Sequence, residues 1–151
     1  MKHFLFKSEP STYSIDDLQK EAATAWTGIR NYTARNNMRD LMKIGDKILF
    51  YHSSCDPPHI AGFAKVASEP YPDSTQFDPK SDYYDPKSKK ENPTWMLVDI
   101  AFVKKAKKIL TLEEVKKDPK LQNMLLVQKG QRLSVQPVTK EDFDYIEGLI
   151  G

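Results

Sequence analysis

The sequence predicts an α+β protein: a small, mostly antiparallel β-barrel with peripheral helices. Three observations predict it. Strand signals stand near both ends of the chain, at residues 2–7 and 132–138. The helix signals between them are mostly short and do not alternate with strands in the βαβ order of a doubly wound sheet. The chain has 151 residues, 39% of them hydrophobic, a length that suits one domain and one core. Residues 1–151 are therefore expected to form a single domain. A barrel hides its sheet edges and can hold one small group in its mouth.

Each element has a local reason. Lys2–Lys7 (KHFLFK) is short, apolar and aromatic, as a strand is. Ser14, with Asp17 three residues on, opens a short helix as an N-cap with a capping-box partner. Residues 31–43 carry the strongest helix signal, with Ala34, Met38, Leu41 and Met42 in one apolar stripe and Gly45 as the stop. Arg35, Arg39 and Lys43 repeat four apart on an adjacent face. Lys47–His52 is nearly all apolar and reads as a strand buried on both faces. Ile60–Ala67 is a strand in which Gly62 marks a bulge or a close backbone approach. Thr94–Val103 is the longest strand signal. Before it lies a loop of about 25 residues, longer than loops usually are. It holds five prolines together with Tyr71, Phe77, Tyr83 and Tyr84, which is too aromatic for a linker. Thr111 caps a short helix to Lys117, closed by Pro119. Arg132–Val138 is a last strand, and Thr139 with Asp142 opens a C-terminal helix with Phe143, Ile146 and Ile150 inward.

Composition excludes several classes. A net charge of +2 and 11% aromatic residues argue against disorder. No apolar run approaches the roughly 20 residues of a membrane-spanning helix, and the N-terminus does not read as a secretory leader. One cysteine, Cys55, excludes an internal disulfide and a cysteine-rich zinc site. A reduced, cytoplasmic location is expected, or a nuclear one in a eukaryotic source. A pI near 8.5 is too mild for a DNA-coating protein. The lysine clusters at 87–90, 104–108 and 116–120 read first as solvated surface.

Phosphate-loop, dinucleotide, zinc-protease and nucleophile-elbow motifs are absent. His52 and His59 lack an acidic partner signature for a metal, and no cofactor is implied. Cys55 has no visible orienting base. Trp26-Thr-Gly-Ile-Arg-Asn-Tyr32 is more informative. Its Trp stands in a loop before a helix, where it either walls a base-binding pocket or plugs the barrel. Asn31 reads as the N-cap of the following helix, and the free amides there suit an anion. Lys7-Ser8-Glu9-Pro10 and Tyr51-His52-Ser53-Ser54 both leave strands toward the barrel mouth.

Together these segments resemble the EVE domain family, including its thymocyte nuclear protein group. The resemblance runs from Phe4 to about Ile146. It rests on F-K-S-E-P with Tyr13-Ser14 downstream, on W-T-G-I-R-N-Y-T-A-R-N-N-M-R, and on G-D-K-I-L-F-Y-H-S-S-C. It continues through Y-P-D, D-P, P-T-W-M-L-V-D-I and R-L-S-V-Q-P-V. Ser54 stands where the family often has Asn, and Pro58-His59 where it often has Pro-Gly or Pro-Ala.

The resemblance implies a PUA-like barrel related to YTH and ASCH domains. It implies a non-catalytic domain that reads a modified base in DNA or RNA, a modified cytosine above all. No cofactor is expected, and the oligomeric state is left open with a monomer favoured. By motif position, Trp26 looks like a pocket wall and the Thr27 carbonyl like an acceptor for a base amine. Lys7 and Ser8 end the first strand beside the pocket. Trp95 is either a second wall or core. Ser8, Asn31, Tyr32, His52 and Ser53 complete the expected pocket, and Lys7, Arg30, Arg35 and Arg132 the expected phosphate contacts. The competing reading is a small amidohydrolase of the ASCH type acting on modified cytidine through Lys7, Glu9 and Thr27. A protein-interaction module is a third.

Overall fold

The computed structural model describes residues 1–151. The strands are β1 (His3–Ser8), β2 (Ala23–Ala25), β3 (Lys47–His52), β4 (His59–Val66), β5 (Tyr71–Pro72), β6 (Met96–Leu97), β7 (Asp99–Thr111) and β8 (Val135–Val138). The helices are α1 (Ile15–Glu21), α2 (Tyr32–Asn36), α3 (Leu112–Lys117) and α4 (Lys140–Ile150). Six strands form one strongly curled sheet, a half-barrel in the order β2-β7-β4-β3-β1-β8. All its neighbours are antiparallel except β1 and β3. No helix is long and apolar enough to cross a membrane.

The central strands alternate between two cores. Phe4, Phe6, Ile48 and Phe50 point to one face, where α1, α2 and Trp26 cover them. Leu5, Leu49, Tyr51 and Phe63 point to the other, under α3 and α4. Both kinds of burial follow from a period of two on strands roofed on both sides. The helix starts form as the local chemistry predicts. Ser14 with Asp17, and Thr111 with Glu114, each make a reciprocal capping box, and Thr139 caps α4. Gly62 sits at register shifts of β4, where a side chain would meet Ile15 of α1 at 2.7 Å.

The curled sheet is the small, mostly antiparallel barrel expected, with β2 and β8 at its edges. Three expectations need correction. The helix expected over 31–43 is α2 followed by a π-helical turn, Asn37–Leu41, with Met42 already extended. Buried Asn37 donates to the Val135 carbonyl of β8, and the Lys43 amide donates to the Asp46 carboxylate. Apolar spacing carries no information about such polar ties. Ala34, Met38 and Met42 are still buried, but Arg35, Arg39 and Lys43 no longer form one α-helical row. The strand expected over 94–103 is split at Val98 and runs on to Thr111, so the lysines at 104–108 belong to β7. The last strand begins at Val135, not Arg132.

Candidate base-binding site

The end of β1, the turn into α1, β2 and the segment after it converge on a cavity of about 520 Å³. That volume lies within the ordinary range of small-ligand pockets. Of the sequence candidates, Lys7, Ser8, Trp26 and Thr27 line it. Tyr13, Ile29 and Tyr83 also line it.

Trp26 is both wall and core. It is only 8% exposed and packs edge-on against Phe6 at 5.4 Å and Phe50 at 5.8 Å, with Tyr13 at 6.1 Å. Its place in a loop does not loosen its tie to the core. Its indole N–H donates to no group of the chain, yet it is not sealed from solvent. The Thr27 carbonyl accepts no hydrogen bond from the main chain. The Ser8 hydroxyl donates to the Tyr13 carbonyl at 2.6 Å, which holds the turn in place. Lys7 is half-buried, and burial lowers its pKa. Tyr13 is pushed up to about 12 by burial and by its hydrogen bond to Glu21, so its phenol stays neutral.

A further wall comes from the long loop. Tyr83 lies against Gly28, whose φ is +86° and where a Cβ would stand 2.7 Å from the ring. Gly28 is required on both counts. Asp73 fixes this corner. Its buried carboxylate accepts from the amides of Gly28 and Thr75, from the Thr75 hydroxyl and from Arg30. Burial pushes its pKa up, but those hydrogen bonds outweigh it and leave the carboxyl below the usual range. Gln76, fully buried, staples the same loop to Trp95 and Ser88.

The remaining sequence candidates lie elsewhere. Arg30 directs its N–H groups at Tyr83, Ile29, Asp73 and Thr75. It is a brace, not a free phosphate ligand. Trp95 is 5% exposed, donates to Asp85 and stacks on Tyr32 at 5.0 Å, outside the cavity. Tyr32 itself is 60% exposed. Arg35 lies 4.9 Å from its ring and donates to the Thr94 carbonyl. Asn31 caps α2, which is too short to make an anion site. Ser53 donates its amide to the Ser8 carbonyl.

His52 accepts from the Ile15 amide through Nε2, so its proton sits on Nδ1 and points to His59 Nε2 at 3.1 Å. His59 Nδ1 in turn faces the Pro57 carbonyl at 2.7 Å. Burial, then the neighbouring His59, lowers His52 to about 4. The pair anchors the start of α1 and does not line the cavity. Arg132 lies beyond Lys7, on a second cavity.

Sequence reasoning missed Tyr83 as a wall. The signal was present, because a long, aromatic loop is a functional candidate. Which of its tyrosines turns inward depends on Asp73 and Gly28, 10 and 55 residues away in the chain.

Comparison with known proteins agrees with this architecture. A family model, the EVE domain, matches residues 2–149. The chain is 43% identical to thymocyte nuclear protein 1 of Homo sapiens, over 97% of this chain and 73% of that protein. A crystal structure of human THYN1 in complex with 5-methylcytosine containing DNA superposes with a TM-score of 0.92 at 42% identity, covering 99% of this chain and 97% of that one. A protein of Pseudomonas syringae superposes equally well, with a TM-score of 0.92 at 47% identity over 97% and 98% of the two chains. An ASCH protein of Zymomonas mobilis, at 10% identity and a TM-score of 0.59 over the full length of both chains, shares the fold alone.

Proposed function

The chain belongs to the EVE domain family, and on that footing we propose that it is a non-catalytic reader of a modified cytosine in DNA or RNA. The base leaves its stack and enters the cavity between Trp26 and Tyr83. The observation that carries the reading is this cavity, lined by the aromatic residues Tyr13, Trp26 and Tyr83 and by Ser8 and Thr27. It occurs in a chain so similar to one solved with 5-methylcytosine DNA. Unstacking a base costs a few kcal/mol. Stacking against aromatic walls returns about 1–3 kcal/mol per base, and an added methyl group packs against the same rings. Such a reader works where nucleic acid is, in the cytoplasm or, in a eukaryotic cell, the nucleus.

Trp26→Ala is a poor test, because losing a buried Trp costs about 3–5 kcal/mol of stability. Tyr83→Ala and Trp26→Phe are better. Tyr83 is 43% exposed, so the fold survives its loss. Titration with paired modified and unmodified oligonucleotides should show about a five- to 150-fold loss for the modified strand, and a smaller loss for the unmodified one. Equal affinities before and after both substitutions, in folded protein, would sink the reading.

A second reading has one observation in its favour. Lys7, Glu9 and Thr27 do line one cavity, as an amidohydrolase acting on an acylated cytidine would need. Release of acetate from N4-acetylcytidine by the purified protein, abolished in Lys7→Met, would establish it in place of the reader.

A further inference from the structure

The base cavity has a neighbour. A second cavity, of about 440 Å³, lies between Tyr51, the start of α3 and the turn that runs from Leu126 to Arg132. Lys7 lines both cavities. Lys7, Lys116, Lys129 and Arg132 surround the second one, and no carboxylate does.

None of those four cations makes an ion pair, and they are gathered on one cavity. The ion pairs of the chain engage Arg30, Arg39, Lys104, Lys105, Lys117 and Lys140. Lys117 pairs with Glu113 one turn back, while Lys116 beside it faces the cavity and pairs with nothing. The main-chain amides of Lys129, Gly130 and Arg132 donate to no main-chain carbonyl either. Gathered positive charge without counter-ions repels itself, and a multiply bonded anion relieves it. Burial already presses the Lys7 pKa down, so its ammonium gains most from such a partner.

We propose that this second cavity seats a phosphodiester flanking the bound base, with Lys7 as the post shared by base and phosphate and with Lys116, Lys129 and Arg132 as further ligands. The inference rests on the reading of the first cavity as a base pocket. Lys7 is what joins them: a nucleotide held in the first cavity brings its own backbone to the second. The protein then selects a modified base within a strand over the same base as a free nucleoside.

The test uses the full chain and a short single strand with one central 5-methylcytosine, beside its unmodified twin. Affinity is measured across salt concentrations for the wild type, for Lys116→Gln with Lys129→Gln, and for the control pair Lys20→Gln with Lys107→Gln, which lines neither cavity. All four lysines are exposed, so folding is not at stake. The cavity pair should lower the log–log slope by about 0.7 for each phosphate ligand removed, about 1.4 for both. It should weaken modified and unmodified strands by the same factor and leave their ratio intact. The control pair should change the slope little. An unchanged slope in the cavity variant, or an equal change in the control, overturns the proposal. Saturable binding of inorganic phosphate that depends on Lys116 and Lys129, with an unchanged strand slope, assigns the cavity to a free anion and overturns it too. A failed base pocket appears differently, as a ratio near one already in the wild type, and the slope comparison on unmodified strands still stands.

Discussion

The two faces of the sheet bury similar side chains but are roofed in different ways. On the far face, Leu5, Leu49 and Phe63 lie under α3 and α4, two helices that open with side-chain caps and insert Val115, Phe143, Ile146 and Ile150. On the near face, α1 and α2 cover only part of the sheet; Phe6 and Phe50 meet Trp26, and beyond Trp26 the roof is irregular chain held by polar ties to Asp73 and Gln76. Helices close a core because their stripe of side chains is continuous. A roof of clamped loops leaves the cavity between Trp26 and Tyr83. What covers a core, more than the core itself, decides where a pocket forms.

The comparison is sharpest where stability and binding separate. Phe143→Ala on the far face should cost about 3–5 kcal/mol of unfolding free energy, measured by urea titration. The affinity ratio of modified to unmodified strand should be unchanged in the folded fraction. A changed ratio would mean that the two roofs are mechanically coupled.

Acid should strike the near face first. His52 is held at about 4, chiefly by burial, against about 6.5 in an unfolded chain. Between those values the unfolded chain takes up a proton that the folded chain refuses. Stability therefore falls as pH drops from about 6.5 to about 4, by about 3 kcal/mol at most. Because His52 holds the Ile15 amide, hydrogen exchange in α1 should accelerate before exchange in α4 does. Uniform acceleration would break the distinction between the faces.

Gly28→Ala probes the clamped roof directly. The left-handed backbone alone costs about 1–2 kcal/mol, and the new methyl displaces Tyr83. A modest loss in thermal stability should accompany a larger loss of modified-base preference. A stability loss with the preference intact would remove Tyr83 from the wall.

Arg39→Ala should do least. Its guanidinium is half-exposed and pairs with Asp40 and Asn36, and exposed pairs of this kind contribute little. The melting temperature and the salt dependence of binding should both stay within error. A shallower salt slope would place Arg39 on a nucleic-acid face.

Much of this molecule was legible one segment at a time. Ser14 with Asp17, Thr111 and Thr139 announce their helices because a cap and its amides lie three residues apart. The apolar runs of β1 and β3 announce buried strands, and Gly62 announces the close approach that Ile15 makes. Trp26 stands out because a loop is an unusual place for it, and Lys7 and Ser8 follow from the end of β1. The tertiary structure decided the rest. It turned 31–43 into a helix and a π turn, through Asn37 and Asp46. It withdrew Arg30 and Trp95 into bracing and packing, chose Tyr83 as a further wall through Asp73 and Gly28, and set Lys7 between two cavities. Local hydrogen bonds and periodicity are properties of neighbours in the chain, and a sequence displays them. A wall made by residues 26 and 83, or a basic cavity made by residues 7, 116, 129 and 132, exists only once the sheet has curled and brought distant segments together.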